Sequence, residues 1–346
     1  MENNEIRDNT YFGAANGYGG FRSNFNAIFS PEELDKLFII KGGPGTGKST
    51  LMKKIKERYS SSASIITILC SSDPDSLDGI LIRKNGVTIG IADGTAPHVI
   101  DAKYPGVIEE IVNLGDGFDF SKLRQRKDEV LGYAEKKANE YKKAYDSLKI
   151  AGEIYKYIAN TFSKYANYTE AESVILGLIK DEKPSLKSVK KEPFLLDAFC
   201  RKGRVIRGDF ETDKQIIRIG GDGLSEQLFM TLLLKILCES NIPVRVFASA
   251  FTDDVPYLIE TPTAVYTIAS RSNAYVNTEQ FIDGVYDYWN LKKSYDALLN
   301  SAKEMLCNAS EYHFKLEDIY ADSISFDKND EKYANMVKEI DSLFDK

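Results

Sequence analysis

Eight residues from Gly42 to Ser49 follow the pattern Gly-x-x-x-x-Gly-Lys-Ser, which is typical of a phosphate-binding loop. They come after the apolar run 37–40 and before the helix-forming run 50–55. A strand, the loop and a helix are therefore predicted in the order that this motif requires. Glycines let successive backbone N–H groups turn toward an anion, and the helix adds its positive N-terminal end. We expect an α/β chain that binds a nucleotide.

The motif gives separate roles to its side chains. Lys48 would supply a positive charge for the β- and γ-phosphates, and Ser49 would offer a hydroxyl to Mg²⁺. No Asn-Lys-x-Asp motif for guanine occurs in the sequence, so the expected cofactors are ATP and Mg²⁺. The predicted nucleotide-binding residues are Gly43, Pro44, Gly45, Thr46, Gly47, Lys48, Ser49 and Thr50.

A second carboxylate is expected beside this loop, because P-loop enzymes hold their metal ion partly through an Asp at the end of a neighbouring strand. The apolar run 87–92 ends in Asp93, which we predict to be that residue. Many P-loop ATPases place a Glu directly afterwards to activate water, but Gly94 follows here. His98 could act as a base, an acid or a γ-phosphate sensor, or could make one structural hydrogen bond.

An acidic turn at 70–78 leaves the predicted second strand and contains Asp73, Asp75 and Asp78. Ligands of open α/β sheets bind at the carboxyl ends of strands, so these carboxylates could orient water or contact a metal ion or substrate. They could equally cap the next helix, since Asp is a favoured N-cap residue. The predicted catalytic residues are Lys48, Asp75, Asp93 and His98.

The chain also contains an internal similarity, because residues 35–52 align without a gap with residues 213–230 at an offset of 178. Two unrelated strand-glycine-helix units could resemble each other by chance, but one register holds over about sixty residues. Where chemistry is expected, the second copy differs: Gly47, Lys48, Ser49 and Asp93 correspond to Ser225, Glu226, Gln227 and Arg271. We expect this degenerate loop not to bind phosphate in the usual way, because a carboxylate repels it.

The predicted fold is therefore α/β, a three-layer P-loop NTPase sandwich that is duplicated, with a degenerate second copy and helical insertions or appendages. Polar sequence containing Pro184 indicates a linker at about 180–191. The helical regions either present solvated faces or form a hairpin that binds a protein partner. The predicted domains are an active nucleotide-binding domain at 1–118, a helical insertion and linker at 119–190, a degenerate α/β domain at 191–283 and a C-terminal helical region at 284–346.

Composition excludes several other classes of function. The net charge of −7 argues against a broad nucleic-acid-binding face, which would need clustered Lys and Arg. The polar N-terminus and the lack of about 18 consecutive apolar residues predict no signal peptide, no membrane segment and a cytoplasmic location. Four cysteines without a Cys-x-x-Cys pair fit reduced thiols. The glycine-rich segment 12–22 is either a flap that brings Arg22 near phosphate or an irregular loop.

Four motifs together resemble a poorly characterised, largely Firmicute family of bacterial P-loop ATPase-like proteins. They are Gly-Gly-Pro-Gly-Thr-Gly-Lys-Ser-Thr at 42–50, Cys-Ser-Ser-Asp-Pro-Asp-Ser-Leu-Asp-Gly at 70–79, Asp-Gly-Thr-Ala-Pro-His at 93–98 and Lys-Tyr-Pro-Gly at 103–106. The resemblance is specific over 37–116 and implies a tandem P-loop protein that binds ATP. In that family the second half often keeps a P-loop, so Glu226 and Gln227 here argue against a two-site mechanism.

Three functions agree with these residues. The leading hypothesis is an ATPase or ATP-dependent switch with one live site, slow without a partner, whose helical regions respond to the nucleotide and engage a protein. A small-molecule kinase would use the acidic turn 73–78 and His98 as an acceptor pocket. An ATP-binding scaffold would hold the nucleotide without turnover.

Overall fold

The computed structural model describes residues 8–186, 188–207, 212–250, 255–283 and 288–345; the first four residues of the predicted C-terminal region, 284–287, lie outside these ranges. In the first half the elements are β1 (Asp8–Phe12), β2 (Ala14–Gly17), β3 (Gly20–Ser23), α1 (Phe25–Ile28), β4 (Lys36–Lys41), α2 (Lys48–Tyr59), β5 (Ser64–Leu69), β6 (Leu77–Lys84), β7 (Val87–Asp93), β8 (Glu109–Asn113), α3 (Phe120–Gln125), α4 (Lys127–Phe162) and α5 (Tyr168–Leu178).

The second half continues with β9 (Val189–Lys191), β10 (Asp197–Cys200), β11 (Gly203–Ile206), β12 (Gln215–Gly220), α6 (Ser225–Glu239), β13 (Val244–Ala248), β14 (Pro256–Glu260), β15 (Ala264–Ile268), β16 (Val276–Asn277), α7 (Trp289–Ala321) and α8 (Asp327–Phe344).

The two halves form six-stranded sheets with the same strand order and the same strand directions. The first sheet has the order β1-β5-β6-β7-β4-β8 and the second has the order β9-β13-β14-β15-β12-β16. In each sheet one strand, β6 or β14, runs antiparallel to both neighbours, and the other neighbouring pairs are parallel. The predicted α/β class is confirmed, and the chain consists of roughly two repeated units.

The sequence alignment agrees with the positions of these elements. A shift of 178 residues carries the start of β4 at Lys36 to position 214 and the start of α2 at Lys48 to position 226, each one residue from the observed start of β12 or α6. One difference concerns the predicted linker, because its last residues, Val189–Lys191, form the edge strand β9 beside β13. An exposed, lysine-rich strand suits a sheet edge, since charged side chains there discourage pairing with other chains.

Alternate residues of β4 enter two different cores, as expected for a central strand that is covered on both faces. Phe38 and Ile40 pack in the core that contains α2, whereas Leu37 and Ile39 pack on the other face, in the core that contains α1. All four side chains are fully buried. Because β4 is buried on both faces, it is held firmly in the sheet. The position and direction of the loop that follows it are therefore fixed.

The terminal helices of each half pack on the sheet unit of the other half. Residues of α8 spaced four apart lie in the core of the first unit with α2; they are Met336, Ile340 and Phe344. Residues of α5 with the same spacing lie in the core of the second unit with α6; they are Ala171 and Ile175. Each buried Ile, Met or Phe side chain among these contributes roughly 1.5–3 kcal/mol. Each unit therefore completes its core with a helix from the other half.

The long helices α4 and α7 run antiparallel beside each other. Tyr133 stacks on Tyr312 and Tyr155 packs near Tyr295, so residue numbers rise along one helix as they fall along the other. Although these helices contain 36 and 33 residues, neither they nor any other helix in the described part of the chain is apolar enough to cross a membrane.

Candidate functional site

The glycine-rich loop between β4 and α2 has a backbone that requires glycine at several positions. Gly45 and Gly47 have φ angles of +68° and +86°, which L side chains rarely adopt. A Cβ on Gly42 would lie 2.6 Å from Thr46 Oγ1. That hydroxyl donates to the carbonyl of Gly43 at 2.9 Å, which closes the loop on itself. The loop then leads directly into the N-terminus of α2 at Lys48.

Lys48 lies across the loop and points to Asp93. Its Nζ donates to the carbonyls of Gly42 and Gly43 at 3.2 and 2.8 Å and lies 3.6 Å from Asp93 Oδ2. The strands bring the two residues together, because β4 pairs with β7 in a register that places Ile40 opposite Asp93. The lysine and the carboxylate predicted from separate motifs therefore meet at one edge of the sheet.

The oxygen atoms present at this edge fit a hard cation such as Mg²⁺. Ser49 Oγ accepts a hydrogen bond from the backbone N–H of Leu77 at 2.9 Å and keeps a second lone pair. Asp93 is buried, and its Oδ1 accepts from the backbone N–H and the hydroxyl of Thr95 at 2.9 and 2.6 Å. These contacts orient the carboxylate, and carboxylate and hydroxyl oxygens are suitable ligands for Mg²⁺.

A side chain at position 94 would crowd its neighbours. A Cβ at Gly94 would lie 2.4 Å from Ile39 Cγ2 and 3.3 Å from the carbonyl oxygen of Ile100. Distances under about 3 Å are not tolerated without movement of the neighbouring groups. Glycine at position 94 therefore suits the close packing of this site, and no water-activating Glu follows Asp93.

Asp93 is part of a buried group with Asp78 and His98. One donor atom from each of the three side chains lies within 4.8 Å of the other two. His98 Nε2 is 3.6 Å from Asp78 Oδ2, which is too long for a hydrogen bond. The imidazole also packs on the ring of Phe25, with centroids 4.3 Å apart. Of the acidic turn, the structure places Asp78 beside Asp93 and His98.

Burial dominates the electrostatics of this group. It raises the pKa of Asp78 to about 7, with a further increase from the negative charge of Asp93. Burial also lowers the pKa of His98, an effect that Asp93 opposes and Lys48 reinforces. At neutral pH the imidazole is therefore uncharged, and Asp78 is close to its midpoint of protonation.

Asp75, which was predicted to be catalytic, lies in a different environment. Its side chain is mainly exposed and accepts a hydrogen bond from Lys202 Nζ at 2.5 Å, and this contact lowers its pKa. Asp73 pairs in the same way with Arg201 at 3.1 Å. Both partners belong to the turn between β10 and β11 in the second half. The structure thus uses Asp75 in an ion pair between the two halves.

The second half also covers the glycine-rich loop, which the sequence did not indicate. A Cβ on Gly45 would lie 2.6 Å from the carbonyl oxygen of Glu317 in α7, and Asn329 Nδ2 in α8 donates to the carbonyl of Thr46 at 2.9 Å. The pKa of the Glu317 carboxylate is lowered first by His313, then by Lys48 and the Gly45 backbone. A carboxylate of the protein thus lies close to the loop.

The loop of the second unit satisfies its own backbone donors. The N–H of Gly223 donates to Glu226 Oε2 at 3.1 Å, and those of Leu224 and Ser225 donate to Asp222 Oδ1 at 3.1 and 2.9 Å. Glu226 is buried and its pKa is raised by that burial. A cavity of about 230 Å³ adjoins this loop, and its lining includes Tyr155, Tyr257 and Tyr288. Arg271, the counterpart of Asp93 in the alignment, forms an ion pair with Glu279.

The N-terminal glycine-rich segment is neither a flap over the phosphate loop nor an irregular loop. It forms the hairpin β2–β3, in which Asn16 Nδ2 donates to the carbonyl of Phe199 at 2.7 Å. Tyr18 at its turn bonds Tyr295 at 2.7 Å and lines the cavity of the second unit. Arg22 donates to Asn24 Oδ1 at 3.3 Å. This hairpin therefore packs toward the second half.

Three comparisons with known proteins complete this description. The chain matched no family model, no curated protein and no solved structure. Functional inference therefore depends on the geometry of the loop, the buried group and the covering helices.

Proposed function

We propose that the first unit binds Mg·ATP and acts as an ATPase or ATP-dependent switch with one live site. The observation that supports this most is the glycine-rich loop, with its two left-handed glycines and with Lys48 3.6 Å from the buried Asp93. A loop of this kind offers several backbone N–H groups, one lysine charge and one metal-binding carboxylate to the same phosphate chain. The bacterial P-loop ATPase-like family that the motifs resemble agrees with this proposal.

Each residue has a defined task in the proposed site. The backbone from Gly43 to Lys48 would hold the β-phosphate, and Lys48 Nζ would exchange its carbonyl contacts for oxygens of the β- and γ-phosphates. Ser49 and Asp93 would hold Mg²⁺, which supplies charge neutralisation between the β- and γ-phosphates when bound. Because Gly94 rather than a Glu follows Asp93, we expect slow hydrolysis by the isolated protein.

The covering helices favour a switch. The backbone of Glu317 in α7 lies against Gly45, its carboxylate is close enough to Lys48 for that charge to lower its pKa, and Asn329 in α8 donates to the carbonyl of Thr46. Phosphate binding to this loop would therefore compete with the Glu317 carboxylate and alter the contact with α7. Both helices belong to the second half, and α8 is also part of the core of the first unit. Nucleotide binding at the loop would therefore change the packing between the halves. A protein partner could recognise this change.

A kinase acceptor pocket has less support. Of the carboxylates proposed for it, Asp73 and Asp75 are paired with Arg201 and Lys202. The scaffold alternative differs from the switch only in turnover.

We also propose that the similar topology of the two units reflects duplication. In this proposal the second unit has lost phosphate binding, because Asp222 and Glu226 accept hydrogen bonds from the N–H groups of its loop.

The test follows labelled γ-phosphate during incubation of the protein with Mg·ATP. The proposal predicts slow release of inorganic phosphate that disappears in Lys48→Ala and persists in Glu226→Ala. Transfer of the label to a small molecule from an added metabolite mixture would identify a kinase. Retention of ATP without release would identify a scaffold. Equal release by the wild type and Lys48→Ala would contradict the proposal.

A further inference from the structure

Asp78, Asp93 and His98 come from three successive pieces of chain and meet in the interior. Asp78 is the second residue of β6, Asp93 is the last of β7, and His98 lies in the loop that follows β7. Their side chains are 5%, 7% and 7% exposed, and one donor atom from each lies within 4.8 Å of the others. Two carboxylate oxygens and an imidazole nitrogen thus converge in a space closed to bulk water.

Three polar atoms of this group, on Asp78 and His98, have no hydrogen-bond partner among the described residues. Within the described part of the chain, neither Nδ1 nor Nε2 of His98 has a hydrogen bond, and neither does Asp78 Oδ2. Buried polar atoms are normally satisfied, so an unbonded imidazole that faces an unbonded carboxylate oxygen indicates a missing ligand. The 3.6 Å between Nε2 and Oδ2 is too long for a direct hydrogen bond.

We propose that these three side chains bind one divalent transition-metal ion of the Mn²⁺, Fe²⁺, Co²⁺ and Zn²⁺ class. Two carboxylates balance the charge of the ion, and the imidazole nitrogen favours these metals over Mg²⁺, which prefers oxygen ligands. Three protein ligands leave coordination positions for water or a phosphate oxygen. The inference rests on the proposed function in one respect, because Asp93 is also the carboxylate assigned to the nucleotide's cation.

An alternative role for the pair Asp78 and His98 is proton transfer without a metal. For the imidazole to act as a general base in this way, the carboxylate must accept a hydrogen bond from it, as in a catalytic triad. The observed separation does not provide this contact, whereas an ion between the two side chains would satisfy both. The geometry therefore favours metal binding.

The experiment uses the full chain, stripped of metal by a chelator and free of nucleotide. Titration with Co²⁺ should give one ion per chain with visible d–d absorption, and Mn²⁺ should show nitrogen hyperfine coupling from one imidazole. His98→Gln and Asp78→Asn should weaken Co²⁺ binding at least tenfold. The matched control His313→Gln removes the only other histidine of the sequence and should leave binding unchanged.

Two further measurements separate this inference from the proposed function. Lys48→Ala should lose Mg·ATP binding and keep Co²⁺ binding, since Lys48 offers no lone pair to a cation. If the wild type binds Mg·ATP but no Co²⁺, or if Mg²⁺ displaces Co²⁺ at equal concentration, the metal inference is overturned and the nucleotide site stands. If Co²⁺ binds but ATP does not, the proposed function is overturned and the metal inference stands. The Mn²⁺ spectrum of the wild type tests His98 even if a variant does not fold.

Discussion

Glu317, in the second half of the chain, lies against Gly45 in the glycine-rich loop of the first half, because a Cβ on Gly45 would lie 2.6 Å from the carbonyl oxygen of Glu317. The pKa of the Glu317 carboxylate is lowered first by His313, and also by Lys48 and the Gly45 backbone, which are groups that a bound phosphate would use. The protein thus places its own anion where the proposed ligand would bind, close enough to Lys48 for that charge to stabilise the carboxylate. Nucleotide binding and packing of α7 against the loop are therefore expected to compete.

Removal of this anion should strengthen nucleotide binding. In Glu317→Gln the side chain remains but the charge that competes with phosphate is lost. We expect the Kd of a fluorescent ATP analogue with Mg²⁺ to fall about tenfold, equivalent to about 1.4 kcal/mol. Glu311→Gln, an exposed change in the same helix, should leave Kd unchanged. A weaker affinity in Glu317→Gln would show that the carboxylate supports the site.

The close approach of α7 makes Gly45 sensitive to any side chain. Gly45→Ala would place a Cβ 2.6 Å from the carbonyl oxygen of Glu317 at a φ of +68°. We expect a loss of about 1–3 kcal/mol in the free energy of unfolding. Gly132→Ala in α4, where nothing lies within 4 Å, should instead stabilise the protein by about 0.5–1 kcal/mol. Urea denaturation of both variants measures this difference, and equal effects would refute the contact.

The raised pKa of Asp78 should make stability depend on pH in the absence of metal. A folded-state pKa of about 7, above the value of 3.8 for an unperturbed Asp, means that the unfolded chain loses this proton first. The contribution of Asp78 to stability therefore falls as pH rises from about 4 to about 7, by at most about 4 kcal/mol.

Asp78→Asn removes this titration. With a chelator present, the variant should gain stability relative to the wild type between pH 5 and pH 8, as measured by thermal unfolding. Asp101→Asn, at a side chain that is 88% exposed, should show no such gain. A constant difference between Asp78→Asn and the wild type at all pH values would contradict the buried, protonated carboxylate.

The exchange of helices between the two units predicts a single unfolding transition. Ile340 in α8 and Ile175 in α5 are fully buried, each in the core of the other half's sheet. Ile340→Ala and Ile175→Ala should each cost about 2–5 kcal/mol and should shift the whole transition. Leu176→Ala, beside Ile175 but 50% exposed, should cost much less. Two separate transitions in either core variant would show that the units unfold independently.

The parts of the candidate site whose positions could be located from the sequence are local in the chain. The loop from Gly42 to Ser49 carries its glycines, lysine and serine in one stretch, so strand and helix signals on either side located it. Asp93 ends an apolar strand, and its pairing with the loop strand brought it to the predicted edge. The order of the strands within each sheet was not predicted from the sequence.

Other parts depend on contacts that one sequence does not reveal. Among the carboxylates of the acidic turn, only the register of β6 with β7 decides that Asp78 rather than Asp75 meets Asp93. The apolar residues of α8 pack on α2 in the other half, and no feature of the sequence predicted this contact. The contact of Glu317 with Gly45 joins residues far apart in the chain, and no motif marks it.

The most direct test of the central claim is calorimetric titration of the full chain with Mg·ATPγS, fitted for stoichiometry, beside Lys48→Ala and Glu226→Ala. The account predicts one site per chain that is lost in Lys48→Ala and kept in Glu226→Ala. Two sites per chain, or an equal loss of Mg·ATPγS binding in both variants, would contradict the proposal that only the loop of the first half binds nucleotide.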